Sequence, residues 1–393
     1  MNQLWPLRNL NGPTRKPDYC KQCPLWGNGT GFGFAETLGN NGVMVVVESL
    51  GQNEAEQGSP LVGPAGHQFN HILKRAGIPR EEFSAIDNVI HCQPPHNKLA
   101  GQHYEQEAIR TCAPFLDDTV SKTQPRAILA MGAVPLKRMA GISGGITRNR
   151  GFIFDGVHNV PVVGTFHPSY LLPRKKEKSS AKYTWVVIMD MRKALRVARG
   201  EREVIAQHYL LDPSIDKARE FIGEYLRTGP ETYMAWDTET LYKMQQKSEQ
   251  KLNVSDADQT VTRVSFAFRP GYAMSIPYTP EYRQKVIQPI MGLNRPKVGH
   301  NSKGFDEPIV IFQEGWELNG TLYDNMDAFH VLQPNLERNL EFVASLLCDH
   351  LRPWKHLSQA EPEFYSCVDA DATVTSFMRI MVALRSIEIP EYL

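Results

Sequence analysis

The sequence predicts an α/β protein built of two domains. A chain of 393 residues is too long for one hydrophobic core of ordinary size, so two domains of about 200 residues each are expected. Apolar runs of strand length alternate with helical stretches in the first half, which is typical of a doubly wound parallel sheet. Acidic residues at strand and helix spacing mark the second half. We place one domain at residues 1–200 and the other at residues 204–393.

The predicted elements follow from the periodicity of the apolar residues. A continuous apolar run, as at residues 43–47, indicates a strand buried on both faces. In the first half we expect strands at residues 43–47, 127–131 and 160–165, a further strand that ends at residues 88–92, and helices at residues 65–76 and 183–199. In the second half we expect strands at residues 204–210 and 233–238, a helix at residues 214–227, and an exposed hairpin at residues 243–251.

The composition excludes several classes of protein. Hydrophobic residues make up 41% of the chain and charged residues 22%, and no apolar run reaches the length of a membrane span. The polar N-terminus lacks the layout of a secretory signal, so we expect a cytoplasmic location and no membrane partner. The net charge is zero, which argues against a generally basic surface. Basic residues outnumber acidic ones over residues 126–202, which fits either a solvated helix face or a phosphate-binding surface.

Four of the six cysteines lie in the first 112 residues: Cys20, Cys23, Cys92 and Cys112. The first two form a C-x-x-C pair. Because disulfides are rare in cytoplasmic proteins, this clustering indicates a metal or cluster site. Four thiolates suit either a zinc ion or an iron–sulfur cluster.

Three acidic motifs characterise the second half: Asp237-Thr-Glu239, His300-Asn301-Ser-Lys-Gly-Phe-Asp306 and Tyr365-Ser-Cys-Val-Asp369. Asp237 and Glu239 are two residues apart on a predicted strand, so both side chains point to one face. Tyr365 and Asp369 are four residues apart in good helix sequence and share a helix face. Carboxylates that converge on two divalent ions are suited to phosphodiester hydrolysis.

The second half resembles the proofreading 3′→5′ exonuclease domain of A-family DNA polymerases, a ribonuclease-H-like fold with four acids and a tyrosine (DEDDy). The resemblance makes Tyr365 the residue that orients the attacking water. It also gives Asn301 a supporting role in the second motif, and Asp324 a structural or substrate-positioning role. The implied ligands of two Mg²⁺ or Mn²⁺ ions are Asp237, Glu239, Asp306 and Asp369.

The same resemblance implies DNA as the substrate, either single-stranded or at 3′ ends. The chain ends too soon after the third motif for a polymerase domain. We therefore expect a separate DNA polymerase subunit as a partner, in a replication system such as that of a phage acting in the host cytoplasm.

A second set of motifs lies in the first half: Glu48-Ser-Leu-Gly51, Gly58-Ser-Pro-Leu61-Val-Gly63-Pro-Ala-Gly66, Asn88-Val-Ile-His-Cys92 and Thr165-Phe-His167-Pro-Ser-Tyr-Leu171-Leu172. Together with the cysteines they resemble the family 4 iron–sulfur uracil-DNA glycosylases. The resemblance runs from Cys20 to about Arg199. It implies a uracil-DNA glycosylase-like doubly wound sheet and a [4Fe–4S] cluster held by the four cysteines, with zinc as the alternative.

The glycosylase resemblance assigns roles at a uracil site. Asn88 would pair with the edge of a flipped uracil, and His167 would donate to uracil O2 as negative charge develops. Glu48 would position the water. Leu171 and Leu172 would form the apolar wedge that fills the vacated base stack.

Two departures from the family pattern concern the base pocket. The first motif normally reads Gly-Glu-Ala/Gly-Pro-Gly, and here only Glu48 and Gly51 match it. Leu61 stands where an aromatic residue usually stacks on uracil, which forfeits roughly 1–3 kcal/mol of stacking.

Several functions are compatible with these motifs. The first is a proofreading-type exonuclease with a glycosylase-like domain, working beside a separate polymerase. The second is a stand-alone repair enzyme that excises uracil and trims 3′ ends. In the third, the glycosylase half is weak or inactive and serves as a DNA-binding or processivity module. A scaffold without activity is disfavoured by the intact acids.

Overall fold

The structure, a computed structural model, describes residues 15–172, 182–240 and 260–386. The chain forms two compact units, Met1–Arg202 and Glu203–Leu393. The hairpin expected at residues 243–251 and the basic residues at 174–178 lie outside the described residues. Within the described ranges, no helix is both long enough and apolar enough to cross a membrane.

The first unit contains a six-stranded sheet. Its strands are β1 (Glu36–Thr37), β2 (Val43–Ser49), β3 (Ala85–Ile90), β4 (Ala127–Met131), β5 (Ile153–Asp155) and β6 (Pro161–Thr165). Their order across the sheet is β1-β3-β2-β4-β6-β5. The four central strands are parallel, and β1 and β5 run antiparallel at the two edges. The predicted α/β fold with a parallel sheet is confirmed.

Helices connect these strands. They are α1 (Gln52–Gln57), α2 (Pro64–Ala76), α3 (Glu105–Thr123), α4 (Ala133–Ala140), α5 (Ile146–Asn149) and α6 (Tyr183–Ala198). Short 3₁₀ turns lie at Asp18–Gln22, Arg80–Glu82, Pro95–Asn97, Val157–Asn159 and Pro168–Leu171. Helix α2 begins at Pro64, whose fixed φ suits a first helical position, and ends before Gly77, whose φ of 69° is left-handed.

Strand β3 ends within the predicted range. The strand expected to end at residues 88–92 lies at Ala85–Ile90, so Asn88 is inside the strand and Cys92 follows it. The strand carries a polar residue, Asp87. It is fully buried there because the His91 imidazole Nε2 lies 2.8 Å from its Oδ1.

The second unit contains a mixed six-stranded sheet. Its strands are β7 (His208–Leu211), β8 (Met234–Thr240), β9 (Val261–Arg269), β10 (Tyr272–Pro277), β11 (Lys297–Gly299) and β12 (Leu322–Asp324), in the order β12-β11-β8-β9-β10-β7. Strand β9 runs antiparallel to both its neighbours, and the other pairs are parallel. The strand expected at residues 204–210 starts later than predicted, because pairing with β10 begins only at His208.

The helices of the second unit are α7 (Ile215–Leu226), α8 (Pro280–Tyr282), α9 (Gln288–Met291), α10 (Asp306–Pro308), α11 (Asn325–Leu332), α12 (Leu340–Leu347) and α13 (Pro362–Arg385). Two π-helical turns, Arg283–Ile287 and Ile309–Gln313, and two 3₁₀ turns, Ser302–Gly304 and Lys355–Leu357, complete it. Helix α13 is the long helix of this unit and packs across β8, β9 and β10.

Alternation along β8 explains where its acids point. Ala235 belongs to the core beneath α13, whereas Trp236 lies in the core on the other face of the sheet. Because successive strand residues face opposite sides, Asp237 and Glu239 follow Ala235 on the face that α13 covers. The fold therefore brings the acids of the first and third motifs to the same side of the sheet.

Candidate functional sites

Three acidic side chains meet between β8 and α13. One ligand oxygen from each of Asp237, Glu239 and Asp369 lies within 4.8 Å of the other two. Among the residues that the structure describes, no other group of three His, Cys, Asp or Glu side chains is so close. Glu239 and Asp369 are buried, and Asp237 is partly buried. We call these three residues the acidic centre.

Lys355 and Tyr365 adjoin the acidic centre. The Lys355 ammonium donates to the Tyr365 hydroxyl at 2.9 Å and to the Asp369 carboxylate oxygens at 2.8 and 2.9 Å. The Trp354 indole N–H donates to Asp369 Oδ1 at 2.6 Å. No sequence motif indicated Trp354 or Lys355, because both lie in the turn before α13 and gain their role only through folding.

The acidic centre affects the protonation of Tyr365 and of Lys355. Burial raises the pKa of Tyr365 well above its ordinary value, and Asp369, Glu239 and Asp237 raise it further, so Tyr365 is a neutral phenol. Burial lowers the pKa of Lys355, but Asp369 and the other two acids outweigh burial and leave that pKa raised. Lys355 is therefore an ammonium ion among carboxylates.

The acid of the second motif lies beside the acidic centre rather than within the group of three. Asp306 is buried, and its Oδ1 accepts from the backbone N–H of Thr238 at 3.0 Å and from the Thr238 hydroxyl. Asn301 has a left-handed φ of 64°, which Asn tolerates, and its N–H donates to Asp324 at 3.0 Å. Asp324 also accepts from the Met326 N–H at 2.8 Å, so it caps α11.

A polar cavity opens where β2, β3 and β6 end in the first unit. Its lining includes Glu48, Gly51, Leu61, Asn88 and His167. These are the residues that the sequence placed at the uracil site, and they lie at the carboxyl ends of parallel strands, where ligands of such sheets bind. Of the two predicted wedge residues, the structure buries Leu171 and leaves Leu172 half-buried.

His167 is held as a neutral hydrogen-bond donor. Its Nδ1 accepts from the Ser169 N–H at 3.2 Å and lies 2.8 Å from the Ser169 hydroxyl. Burial lowers the pKa of His167 to about 4. Since Nδ1 accepts, the proton of the neutral ring is on Nε2. Burial also raises the pKa of Glu48, and the nearby Glu105 adds to this shift.

The loop over this cavity depends on a residue that we did not single out from the sequence. Glu54 is buried, and its Oε1 accepts from the N–H groups of Val62 and Gly63 at 3.2 and 2.8 Å. A Cβ on Gly66 would lie 1.9 Å from the carbonyl oxygen of Leu61. Leu61 has a positive φ of 51°. Because Gly66 has no Cβ, the Leu61 carbonyl can lie against it.

The four N-terminal cysteines line one cavity. Cys20, Cys23, Cys92 and Cys112 surround it together with apolar side chains and Lys16. Burial, with the neighbouring cysteines, raises the pKa of Cys20 to about 12, and burial raises the pKa of Cys92 to about 12. Four thiols around one cavity suit a cationic metal group that would stabilise their thiolates.

Thiol spacing distinguishes the two candidate groups. A tetrahedral zinc ion with Zn–S bonds of about 2.3 Å holds its sulfurs about 3.8 Å apart. Within the described residues, no three of the four sulfurs approach one another within 4.8 Å. A [4Fe–4S] cluster places its own iron atoms between the thiolates, so it holds its four sulfurs farther apart than a zinc ion does.

His91 contacts this cysteine cavity from the protein interior. Its Nδ1 lies 3.4 Å from the Cys112 sulfur, and its Nε2 lies 2.8 Å from Asp87 Oδ1. Burial lowers the pKa of His91, but Asp87 and Cys112 outweigh burial and raise that pKa to about 10. We did not single out this buried pair from the sequence, because a His four residues after an Asp is common on exposed surfaces.

The solved structures to which this chain is similar include nucleases. NrnC of Brucella melitensis is 16% identical with a TM-score of 0.28, and the match covers 47% of this chain and 81% of that chain. RNase D of Escherichia coli, described as an exoribonuclease involved in structured RNA processing, is 14% identical with a TM-score of 0.29, and the match covers 46% of this chain and 44% of that chain. At these TM-scores, evidence for the function of the second unit comes from its side chains.

Comparison with curated proteins and families identifies the first unit. The model of the uracil DNA glycosylase superfamily matches residues 36–191. The type-4 uracil-DNA glycosylase of Thermotoga maritima is 35% identical over 183 residues, which are 46% of this chain and 91% of that protein. The type-4 enzyme of Pyrobaculum aerophilum is 29% identical over 160 residues, 39% of this chain and 79% of that protein. The glycosylase resemblance is confirmed, and through its first unit the chain belongs to the type-4 uracil-DNA glycosylase family.

Proposed function

We propose that this protein acts on DNA through two hydrolytic centres, a metal-dependent 3′→5′ exonuclease in the second unit and a uracil-DNA glycosylase in the first. Membership of the glycosylase family supports DNA as the partner and hydrolysis as the reaction class. The main evidence for the exonuclease is that one ligand oxygen from each of Asp237, Glu239 and Asp369 lies within 4.8 Å of the other two.

The acidic centre offers the oxygen ligands that Mg²⁺ and Mn²⁺ prefer. Asp237, Glu239 and Asp369 would hold the metal, with Asp306 alongside as the fourth acid. A divalent ion bound there would activate water and stabilise the leaving oxygen of a phosphodiester. Tyr365, as a neutral phenol, would orient the attacking water through its hydroxyl.

Digestion of a 5′-labelled single-stranded DNA oligonucleotide tests this assignment. We expect a Mg²⁺-dependent ladder of products shortened from the 3′ end, absent in EDTA and absent from Asp237→Asn. Glu220→Gln is the matched control, because Glu220 is an exposed acid that pairs with Lys217 on α7. Equal digestion by wild type and Asp237→Asn would refute the assignment.

The cavity of the first unit offers complementary groups to a flipped uracil. Asn88 would read the Watson–Crick edge through its amide. Excision breaks the bond between sugar C1′ and uracil N1, and water adds to the sugar while the base leaves as an anion. His167, neutral with its proton on Nε2, would stabilise that anion by donating to uracil O2. Glu48 would hold the water.

The four cysteines would bind a [4Fe–4S] cluster, with zinc as the alternative. The cluster would stabilise the fold by joining the N-terminal turn, the segment after β3 and helix α3. Iron and zinc analysis of anaerobically purified protein, together with its visible absorption, distinguishes the two. Stoichiometric zinc in a colourless protein would refute the cluster.

A narrower role for the first unit is favoured by Leu61. This residue lines the cavity where the family usually has an aromatic side chain, so uracil would bind weakly. In that case the first unit would serve as a DNA-binding or processivity module for a separate DNA polymerase, with the second unit as its proofreading subunit. Co-purification with a polymerase that lacks its own exonuclease, without uracil excision, would favour this role over a stand-alone repair enzyme.

A further inference from the structure

Four residues connect the cysteine cavity to the uracil cavity through polar contacts. The Cys112 sulfur accepts from the His91 backbone N–H at 3.3 Å and lies 3.4 Å from the His91 ring Nδ1. The other ring nitrogen, Nε2, lies 2.8 Å from Asp87 Oδ1. The same oxygen accepts from the Asn88 N–H at 2.7 Å. We call these four residues the buried network, since Cys112 lines one cavity and Asn88 the other.

The buried network is shielded from water. Asp87 and His91 are fully buried, and Asn88 and Cys112 are buried as well. In the part of the chain that the structure describes, Asp87 Oδ2 has no hydrogen-bond partner. A single oxygen, Oδ1, therefore holds both the imidazole and the Asn88 N–H. Because leaving a buried group without its partner costs free energy, a movement of His91 affects the contact that holds Asn88.

Strand β3 places the buried network between the two cavities. Asp87 and Asn88 are neighbours in this strand, so their side chains point to opposite faces of the sheet. The Asp87 carboxylate reaches His91, which follows the strand and contacts α3 through Cys112. The Asn88 side chain lines the uracil cavity. The backbone that carries the Asn88 amide is thus held from the side of the cysteines.

Metal ligation by Cys112 would fix one end of the buried network. A ligating cysteine is a thiolate, and hydrogen bonds to a charged acceptor are shorter and stronger than those to a neutral one. Groups that contact the ligands of a metal site hold those ligands in a fixed orientation, and the ligands hold them in turn. Ligation would therefore fix His91, and with it the Asp87 oxygen that accepts from Asn88.

We propose that Asp87 and His91 are positioning residues that couple metal ligation by Cys112 to the reading of uracil by Asn88. This inference rests on the proposed glycosylase, and it gives the cysteine site a role in base recognition besides joining segments of the fold. With the buried network intact, the amide presents its donor and acceptor in the orientation that distinguishes uracil from cytosine. Without it, the strand that carries the amide is held less firmly, and the distinction weakens.

Binding of DNA that resists excision tests the proposal without relying on activity. The probes are two fluorescent single-stranded oligonucleotides, one with a single 2′-fluoroarabinouridine and one with the corresponding cytidine. The fluorine on the sugar suppresses cleavage of the sugar–base bond. All proteins are full-length, retain their metal and carry Asp237→Asn, so that the exonuclease does not digest the probes. Fluorescence anisotropy gives the Kd of each probe, and the ratio of the two Kd values is the uracil preference.

The expected results follow from the order of the contacts. We expect Asp87→Leu to lower the uracil preference by roughly tenfold, with little change in the Kd of the cytidine probe. His91→Leu should lower the preference too, and the double variant should fall no further than Asp87→Leu, because the two residues act in series. Asp87→Asn should keep the preference, since its amide oxygen can still accept from the Asn88 N–H.

A destabilised control separates positioning from stability. Ile153 is buried in β5, which lies at the edge of the sheet farthest from β1 and β3. Ile153→Ala leaves a cavity that destabilises the first unit, and we expect its uracil preference to equal that of the wild type. Thermal unfolding shows which variants are folded, and His91→Leu provides the same test if Asp87→Leu does not fold.

Competition for the bound metal gives a second readout. The protein is saturated with either probe and titrated with the coloured chelator pyridylazoresorcinol, which reports the metal lost at each chelator concentration. Because coupling between two sites is reciprocal, we expect the uridine probe to shift the midpoint to a higher chelator concentration than the cytidine probe does. In Asp87→Leu the two midpoints should coincide.

The outcomes separate this inference from the proposed function. An equal uracil preference in the wild type and in folded Asp87→Leu would overturn the inference and leave the glycosylase standing. Equal midpoints for the two probes in the wild type would also overturn it, as would an equal loss of preference in Ile153→Ala. A wild type that binds both probes equally would refute the uracil site itself, and the inference with it.

Discussion

Trp354 donates its indole N–H to the Asp369 carboxylate across 2.6 Å, from a turn that belongs to no acidic motif. Trp354 is 1% exposed and Asp369 is 3% exposed. The bond is therefore shielded from water and fixes the orientation of the carboxylate. The geometry of the acidic centre depends on this turn as well as on the acids themselves.

Trp354→Phe removes this hydrogen bond and keeps an aromatic ring. We expect the free energy of unfolding of the second unit to fall by about 1–3 kcal/mol, because a buried carboxylate loses a donor. Mg²⁺-dependent digestion should slow, since Asp369 loses its orientation. Urea unfolding and single-turnover digestion measure the two effects. Trp316→Phe is the control, because Trp316 packs against the core on the face of the sheet opposite α13. Equal digestion rates in the two variants would contradict the expected role of Trp354.

Gly66→Ala tests the loop over the uracil cavity. A methyl group there would lie 1.9 Å from the Leu61 carbonyl oxygen, so the backbone has to shift. We expect the first unit to lose about 3 kcal/mol of stability and uracil excision to fall with it. Gly27→Ala is the control, because its added Cβ meets nothing within 4 Å. Thermal unfolding and excision in EDTA are the measurements, and a Gly66→Ala protein as stable as the control would show that the loop is more adaptable.

The pKa of His167 predicts a pH dependence. Burial lowers this pKa from 6.5 to about 4, so the unfolded chain takes up a proton at a higher pH than the folded chain. The contribution of His167 to stability is therefore complete above pH 6.5 and is lost as the pH falls toward 4. Between pH 6.5 and about 4, we expect the first unit of the wild-type protein to lose more stability than the first unit of the His167→Gln variant. Thermal unfolding of both proteins measures this difference. Parallel curves for the two proteins would mean that the histidine is protonated normally.

His91 and Asp87 form a buried pair that a double-mutant cycle can measure. Removing His91 alone, as His91→Leu, leaves Asp87 buried without the imidazole that contacts it. We expect a loss of about 3–5 kcal/mol in the free energy of unfolding of the first unit. The double variant Asp87→Leu with His91→Leu should lose less than the sum of the two single variants. Urea unfolding measures all four proteins, and additive losses would mean that the two side chains do not interact.

Part of the first sheet could be predicted because strands β2 and β4 are mostly apolar. The run at residues 43–47 lies within β2, and residues 127–131 form β4 without any shift of their ends. Only the end of β3 could be predicted. Asp87 in this strand is a buried carboxyl group whose partner, His91, lies beyond the strand, and periodicity does not report such pairing.

The arrangement of the acidic centre could be predicted where it depends on residues close together in the sequence. Strand alternation and helix spacing place Asp237, Glu239 and Asp369 correctly relative to their own elements. Lys355 was not predictable, because it reaches Asp369 through a turn stabilised by Glu341 on another helix. The positions of Asp306 and Asn301 also depend on long-range contacts, with Thr238 and Asp324 respectively.

The proposed function requires two independent hydrolytic centres in one chain. A single-stranded oligonucleotide with one internal uracil and a 5′ label tests it directly, with product analysis after alkaline treatment, in EDTA and in Mg²⁺. We predict cleavage at the uracil in EDTA and a 3′-shortened ladder in Mg²⁺. Asn88→Ala should lose only the first product, and Asp237→Asn only the second. Loss of both products in either folded variant, or of neither, would contradict the claim.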